Sequence, residues 1–248
     1  MPLIPGAEPF VARGDRLGIL VLHGVRGSPV SVASWARHLA DAGHTVAAPR
    51  LPGHGTRWQD LNRTRWHDWY EEADRNYVWL TQRSDTVVVM GLSNGATLGL
   101  RLAERHNDVD GLVLVNPQVH TERLDTRLLP GLRYLVPGVP TAVNDIKKTG
   151  TDEGAYDRVP LHAAHSTKQM WATVKSDIHR VDCPILLIHS ADDHVVEPSN
   201  ALWIMANVAS SDVREIVLED SFHVATMDNE APVVLDASLA FAREMALA

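Results

Sequence analysis

A chain of 248 residues, 45% apolar and 22% charged, has ordinary globular composition and the length of one large α/β domain. Its formal net charge of −8 argues against nucleic acid or an anionic membrane surface as partner. A single cysteine, Cys183, excludes an internal disulfide and a thiol-based zinc site, and no run of about 18 apolar residues is present to span a membrane. The opening "MPLIPGAEPFVARGD" lacks the basic and apolar regions of a secretory signal, so a soluble cytoplasmic protein is the expectation.

In chain order, "LGILVLH" (17–23) is the first buried-strand run, followed by a helical pattern over 31–43 and a strand "TVAAP" at 45–49. A Gly-rich turn, "RLPGHGT", then leads to 64–83, where Trp66, Trp69, Ala73, Tyr77 and Leu80 recur at helical spacing along one apolar face. "TVVVMG" (86–91) passes directly into a helix over 94–106, and "GLVLVN" (111–116) follows. "PILLIH" (184–189), a helix over 197–209, "REIVLE" (214–219) and a last helix over 231–246 complete the series. Continuous rather than alternating apolar strands, separated by helices, predict a doubly wound, mostly parallel sheet covered on both faces. One interval breaks the rhythm. More than sixty residues separate the strands at 111–116 and 184–189, far beyond a normal loop. Residues of about 118–178 therefore read as an insertion packed over the sheet edge of a single domain spanning 1–248, rather than as a separate domain.

The chemistry starts at Gly91-Leu92-Ser93-Asn94-Gly95, where a buried strand turns straight into a helix. Such a tight turn holds the serine oxygen up at the carboxyl edge of the sheet, and the glycines allow the backbones to pack closely. The Asn94 N–H, at the helix start, points to the same place and can stabilise an oxyanion. A serine needs a base. Of thirteen histidines, His223 in "LEDSFHVATMD" alone follows the last strand at the required edge. The acid should follow the preceding strand, where "SADDHVVEP" offers both Asp192 and Asp193, and spacing does not separate them. A second oxyanion donor is expected after the first strand, in "LVLHGVRGSP", which makes the Val25 N–H the candidate. His23 reads as a structural histidine and His54 as part of a turn.

These segments, together with "PRLPGHGT", "GLSNGATLGLRLA", "GLVLVNP" and the cap pieces "NDIKKTG" and "EGAYDRVP", resemble the bacterial carboxylesterase and monoacylglycerol lipase family of the α/β-hydrolase fold. The likeness runs over nearly the whole chain. It implies Ser93, Asp193 and His223 as the catalytic triad, with the acid standing directly before "HVV", and the main-chain N–H groups of Val25 and Asn94 as the oxyanion hole. It also implies a substrate-binding role for Glu153 at the alcohol end, against the competing reading of a solvated loop carboxylate. The family usually carries an aromatic residue at Val25 and Met or Leu at Asn94, so a wider and more polar acyl pocket is expected here. Leu128, Leu129, Leu132, Leu135 and Val136 either line an acyl tunnel or pack the cap.

The expected activity is hydrolysis of short- to medium-chain acyl esters, including monoacylglycerols, through an acyl-enzyme, with a small-molecule ester as partner and neither metal nor organic cofactor. Thioesterase or carbon–carbon bond hydrolase chemistry on the same fold, or a non-catalytic ligand-binding role, are the alternatives.

Overall fold

The computed structural model describes residues 2–247. The chain runs β1 (Phe10–Ala12), β2 (Leu17–Leu22), α1 (Ala33–Asp41), β3 (Thr45–Ala48), α2 (Trp58–Leu61), α3 (Trp66–Thr81), β4 (Thr86–Leu92), α4 (Asn94–Arg105) and β5 (Gly111–Val115). It then leaves the sheet through α5 (Leu129–Leu132), β6 (Gly138–Pro140), β7 (Arg158–Pro160) and α6 (Leu161–Asp177). It returns with β8 (Ile185–Ser190), α7 (Ser199–Asn207), β9 (Val213–Leu218) and α8 (Ala231–Met245). Seven strands lie in the order β1-β3-β2-β4-β5-β8-β9, all parallel to their neighbours except β1, which pairs antiparallel with β3. Thus the fold is the α/β-hydrolase arrangement that the sequence predicts. The short edge strand β1 was not among the predicted elements, because three residues of mixed exposure carry no periodic signal.

Burial on both faces explains why the central strands are apolar throughout. Leu20, Leu22, Val87, Val89, Leu112 and Leu114 face a core built with α3, α4 and α6. Their sequence neighbours Ile19, Val21, Val88, Met90, Val113 and Val115 face the other core, with α1 and α8. The period of two is present, but both phases are buried, so every position must be apolar. In α3 the stripe Trp66, Trp69, Ala73, Tyr77 and Leu80 is buried, which makes it core rather than a contact surface.

From β2 the chain goes to β3 on one side and then to β4 on the other. The strand order therefore reverses between β2 and β4, and the crevice at their carboxyl ends is where such folds bind ligands. The segment after β2 and the turn after β4 meet there. The strands β6 and β7 form a separate antiparallel ribbon, while α6 buries Met170 and Val174 in the core it shares with α3 and α4. No helix among the described residues is long and apolar enough to cross a membrane.

Candidate active site

Ser93 sits at φ 56° and ψ −120°, a conformation L-residues avoid, between the last residue of β4 and the first of α4. Strain of this kind is held in place by the surroundings and costs on the order of 1–3 kcal/mol. Its N–H donates to Val115 O on β5 at 2.8 Å, which clamps the turn to the neighbouring strand. The flanking glycines are obligatory for steric reasons. A Cβ at Gly91 would lie 2.3 Å from the Gly95 carbonyl carbon, and one at Gly95 would lie 2.2 Å from Leu22 O. Gly24, two residues past β2, approaches the elbow less tightly: a Cβ there would stand 3.3 Å from Ser93 Cβ.

Two main-chain N–H groups border the serine. Asn94 opens α4, so its N–H has no intrahelical acceptor. Val25 follows Gly24, and its N–H donates to no group among the described residues. Both residues line the same cavity as Ser93 and His223.

His223 lies in the loop after β9. Its Nδ1 meets Asp193 Oδ2 at 2.8 Å, with both side chains almost wholly buried. The other carboxylate oxygen, Asp193 Oδ1, accepts the N–H groups of Val195 and Val196 at 2.8 Å each. Burial opposes ionisation of Asp193, but the facing imidazole and these hydrogen bonds outweigh it and hold the carboxyl below its usual range. The reverse balance acts on His223: burial pushes it down, while the Asp193 charge and hydrogen bond, with Glu153 and Asp145 behind them, carry it above the ordinary histidine value. Asp192, which sequence spacing could not distinguish from Asp193, is largely exposed and lies 3.5 Å from His194 Nε2.

A family model described as serine aminopeptidase, S33 (Hydrolase_4), matches residues 15–230. The chain belongs to this hydrolase family. It is 38% identical over 243 residues to a thermostable monoacylglycerol lipase of Bacillus sp. (strain H-257), a match that covers 97% of this chain and 96% of the relative. A carboxylesterase of Bacillus subtilis (strain 168) is 23% identical over 228 residues, 92% of each chain. Among solved structures, one from the metagenome-derived lipolytic enzymes LipS and LipT superposes with a TM-score of 0.95 at 36% identity, covering 98% of this chain and all of that one.

In this hydrolase a cavity lies over Ser93 and is bordered by Gly24, Val25, Asn94 and His223. Its lining includes Arg26, Gly27, Glu153 and Ala155, and also Gln118, Thr121, Thr126, Thr167 and Trp171. Glu153 is half-buried and lines the cavity. Burial raises its pKa, against the opposing pull of His223 and Arg26. Arg26 adopts φ 70° and sends Nη1 to the carbonyls of Ala142 and Tyr156. Of the five apolar residues expected at the tunnel, Leu129 alone lines the cavity, whereas Leu128 and Leu135 are 70% and 82% exposed. The rest of the lining mixes apolar Leu92, Val159, Pro160 and Ala164 with the polar Gln118, Thr121, Thr126 and Thr167.

The other two histidines at this edge are structural, as their sequence context indicated. His23 is fully buried; its Nδ1 lies 2.9 Å from Gly24 O and its Nε2 accepts the Leu51 N–H, which fixes one neutral tautomer. Burial pushes it down to about 4. His54 is equally buried, with Nδ1 3.0 Å from Pro52 O, and packs edge-on against His23 and Trp69. Neither lines the cavity. Among the described residues no group of three or more His, Cys, Asp or Glu side chains is arranged to hold a metal ion.

Sequence reasoning missed the residues that hold the His223 loop. Asn116 Nδ2 donates to His223 O at 2.7 Å while its Oδ1 accepts the Ser190 N–H. Asp145 accepts the His223 N–H, and Asp228 caps the Phe222, Lys147 and Lys148 N–H groups at 2.8 Å each. The sole signal for Asn116 was its position, at the end of a strand that finishes on the functional edge. Asp145 and Asp228 carried none.

Proposed function

We propose that the chain is a serine ester hydrolase whose substrates include monoacylglycerols, with Ser93 as nucleophile, His223 as base and Asp193 as its orienting acid. The observation that carries this reading is the 2.8 Å contact between His223 Nδ1 and Asp193 Oδ2, with His223 and Ser93 lining one cavity beside two free main-chain N–H groups. With Nδ1–H donated to the carboxylate, Nε2 is the basic nitrogen and takes the Ser93 proton. Ser93 Oγ then bonds to the ester carbonyl carbon, and the Val25 and Asn94 N–H groups hold the oxyanion. Collapse of the tetrahedral intermediate expels the alkoxide, which receives the proton from His223 and leaves as the alcohol. Water, deprotonated by the same His223, attacks the acyl-enzyme, and the second collapse frees the acid and restores Ser93.

Residues of about 118–178 act as a cap over this site, and Glu153 accepts hydrogen bonds from the leaving alcohol's hydroxyls. Its half-buried place beside His223 supports that role, because glycerol hydroxyls satisfy a carboxylate that water reaches poorly. The relatives named above act as lipases and carboxylesterases, which supports oxygen esters over amides. A cytoplasmic location fits the lone, unpaired Cys183.

The test is hydrolysis of 1-monoacylglycerols and a p-nitrophenyl ester series by wild type and Ser93→Ala, with fluorophosphonate labelling of both. Turnover and labelling in wild type, both lost in the variant, is the expected result. Absence of turnover on every ester would move thioester, carbon–carbon or binding roles ahead of this one.

A further inference from the structure

A defined donor stands among the residues lining the cavity. The indole nitrogen of Trp171, on α6, donates to Asn94 Oδ1 at 2.8 Å. An indole N–H can only donate, so the Asn94 amide has one possible orientation, with Nδ2 turned the other way. That Nδ2 donates to Gln118 Oε1 at 3.1 Å. Gln118 in turn must present Oε1 to Asn94, which leaves its Nε2 pointing away. The Gln118 backbone is pinned too: its carbonyl accepts Thr97 Oγ1, and the N–H groups of Val119 and His120 both donate to Asn200 Oδ1.

Gln118 is 8% exposed and lines the cavity, and its Nε2 donates to no group among the described residues. The threonine hydroxyls of the cavity lining have spent their protons on protein oxygens. Thr121 donates to Glu197 Oε1 at 3.1 Å, Thr126 to Arg123 O at 2.8 Å and Thr167 to Ala163 O at 3.1 Å. Lys168 Nζ is turned onto Thr126 O and Oγ1. A cavity-lining donor with no protein partner is best matched by a ligand that brings an acceptor.

We propose that Gln118 is a specificity-determining residue, and that the preferred acyl groups carry a hydrogen-bond-accepting oxygen a few carbons beyond the ester carbonyl. Trp171 and Asn94 act as positioning residues for it. The proposal rests on the ester-hydrolase reading above and names its substrate class. A plain alkyl chain leaves Nε2 unpaired against hydrocarbon; an oxo-acyl chain satisfies it.

The experiment measures kcat/KM for p-nitrophenyl 5-oxohexanoate against p-nitrophenyl hexanoate, each divided by its rate with hydroxide, in wild type, Gln118→Met and Trp171→Phe. Wild type should favour the oxo ester by about three- to tenfold, the range of one neutral hydrogen bond. The ratio should fall toward one in Gln118→Met. It should fall in Trp171→Phe as well, since Asn94 and Gln118 can then flip together, and this variant keeps the test alive if Gln118→Met does not fold. A wild-type ratio of one or less, or a ratio unmoved in the folded variants, overturns the inference while cleavage of hexanoate leaves the esterase reading standing. Cleavage of neither ester overturns both.

Discussion

Asp145 Oδ2 accepts the backbone N–H of His223 at 3.2 Å, so a residue 78 positions earlier in the chain holds the loop that presents the imidazole. The same carboxylate binds His194 Nδ1 at 2.8 Å, and the Asp145 carbonyl takes the Val224 N–H at 3.1 Å. The segment between β6 and β7 is thereby tied to the loop after β9. Replacing Asp145 with alanine should lower stability by about 1–3 kcal/mol, the cost of stranding a buried donor. It should also reduce kcat more than it raises KM, because the base is misplaced rather than the substrate. Urea denaturation and steady-state kinetics on one ester check both; an unchanged kcat would mean that Asn116 alone suffices to hold the loop.

The two adjacent aspartates should behave oppositely. Asp193→Asn keeps the shape but loses the ionised partner of His223 Nδ1, and by analogy with serine proteases the loss in kcat should be about 10⁴-fold. Asp192→Asn should stay within about twofold of wild type, since exposed carboxylates contribute little. Comparable losses from both would remove Asp193 from the mechanism.

The pH profile follows from the charges around His223. The base must be neutral to take the Ser93 proton, so kcat/KM rises with pH through the free enzyme's His223 titration, and its raised pKa puts that limb above the ordinary value of 6.5. Glu153 is one of the groups that raise it. Glu153→Gln removes a negative charge, lowers the His223 pKa and should move the acid limb to lower pH. The same variant should lose more activity on glycerol esters than on ethyl esters of the same acid. A limb that does not move, or moves upward, would contradict the placement of Glu153 beside the base.

Gly95→Ala tests the elbow sterically. Its Cβ would meet Leu22 O at 2.2 Å, and that atom belongs to a central strand that cannot retreat. The cost should be about 3 kcal/mol or more, at the upper end for overpacking. Gly131→Ala, where nothing lies within 4 Å, is the control and should fold normally. Thermal melts of the two proteins decide it.

How much of this was legible beforehand depended on whether the signal was local. The buried strands announced themselves because both faces are covered, and Ser93 and His223 because glycines and strand ends mark where the chain must turn at the carboxyl edge. The antiparallel β1 went unread, since three residues leave no period to detect. So did the choice between Asp192 and Asp193 on spacing alone, which depends on which carboxylate the loop turns inward; only the family resemblance distinguished them. Of the five apolar cap residues that could either line a tunnel or pack the cap, Leu129 alone borders the cavity, while Leu128 and Leu135 are exposed.

By itself the sequence determined the fold and marked Ser93 and His223 as candidates, because hydrophobic periodicity and turn chemistry act between residues close along the chain. Tertiary structure decided that Asp193 faces His223, that Asp145 and Asp228 brace the histidine loop, and that Trp171 orients Asn94 from 77 residues away. Hydrogen bonds across such separations depend on the three-dimensional docking of whole elements, and no local spacing encodes them.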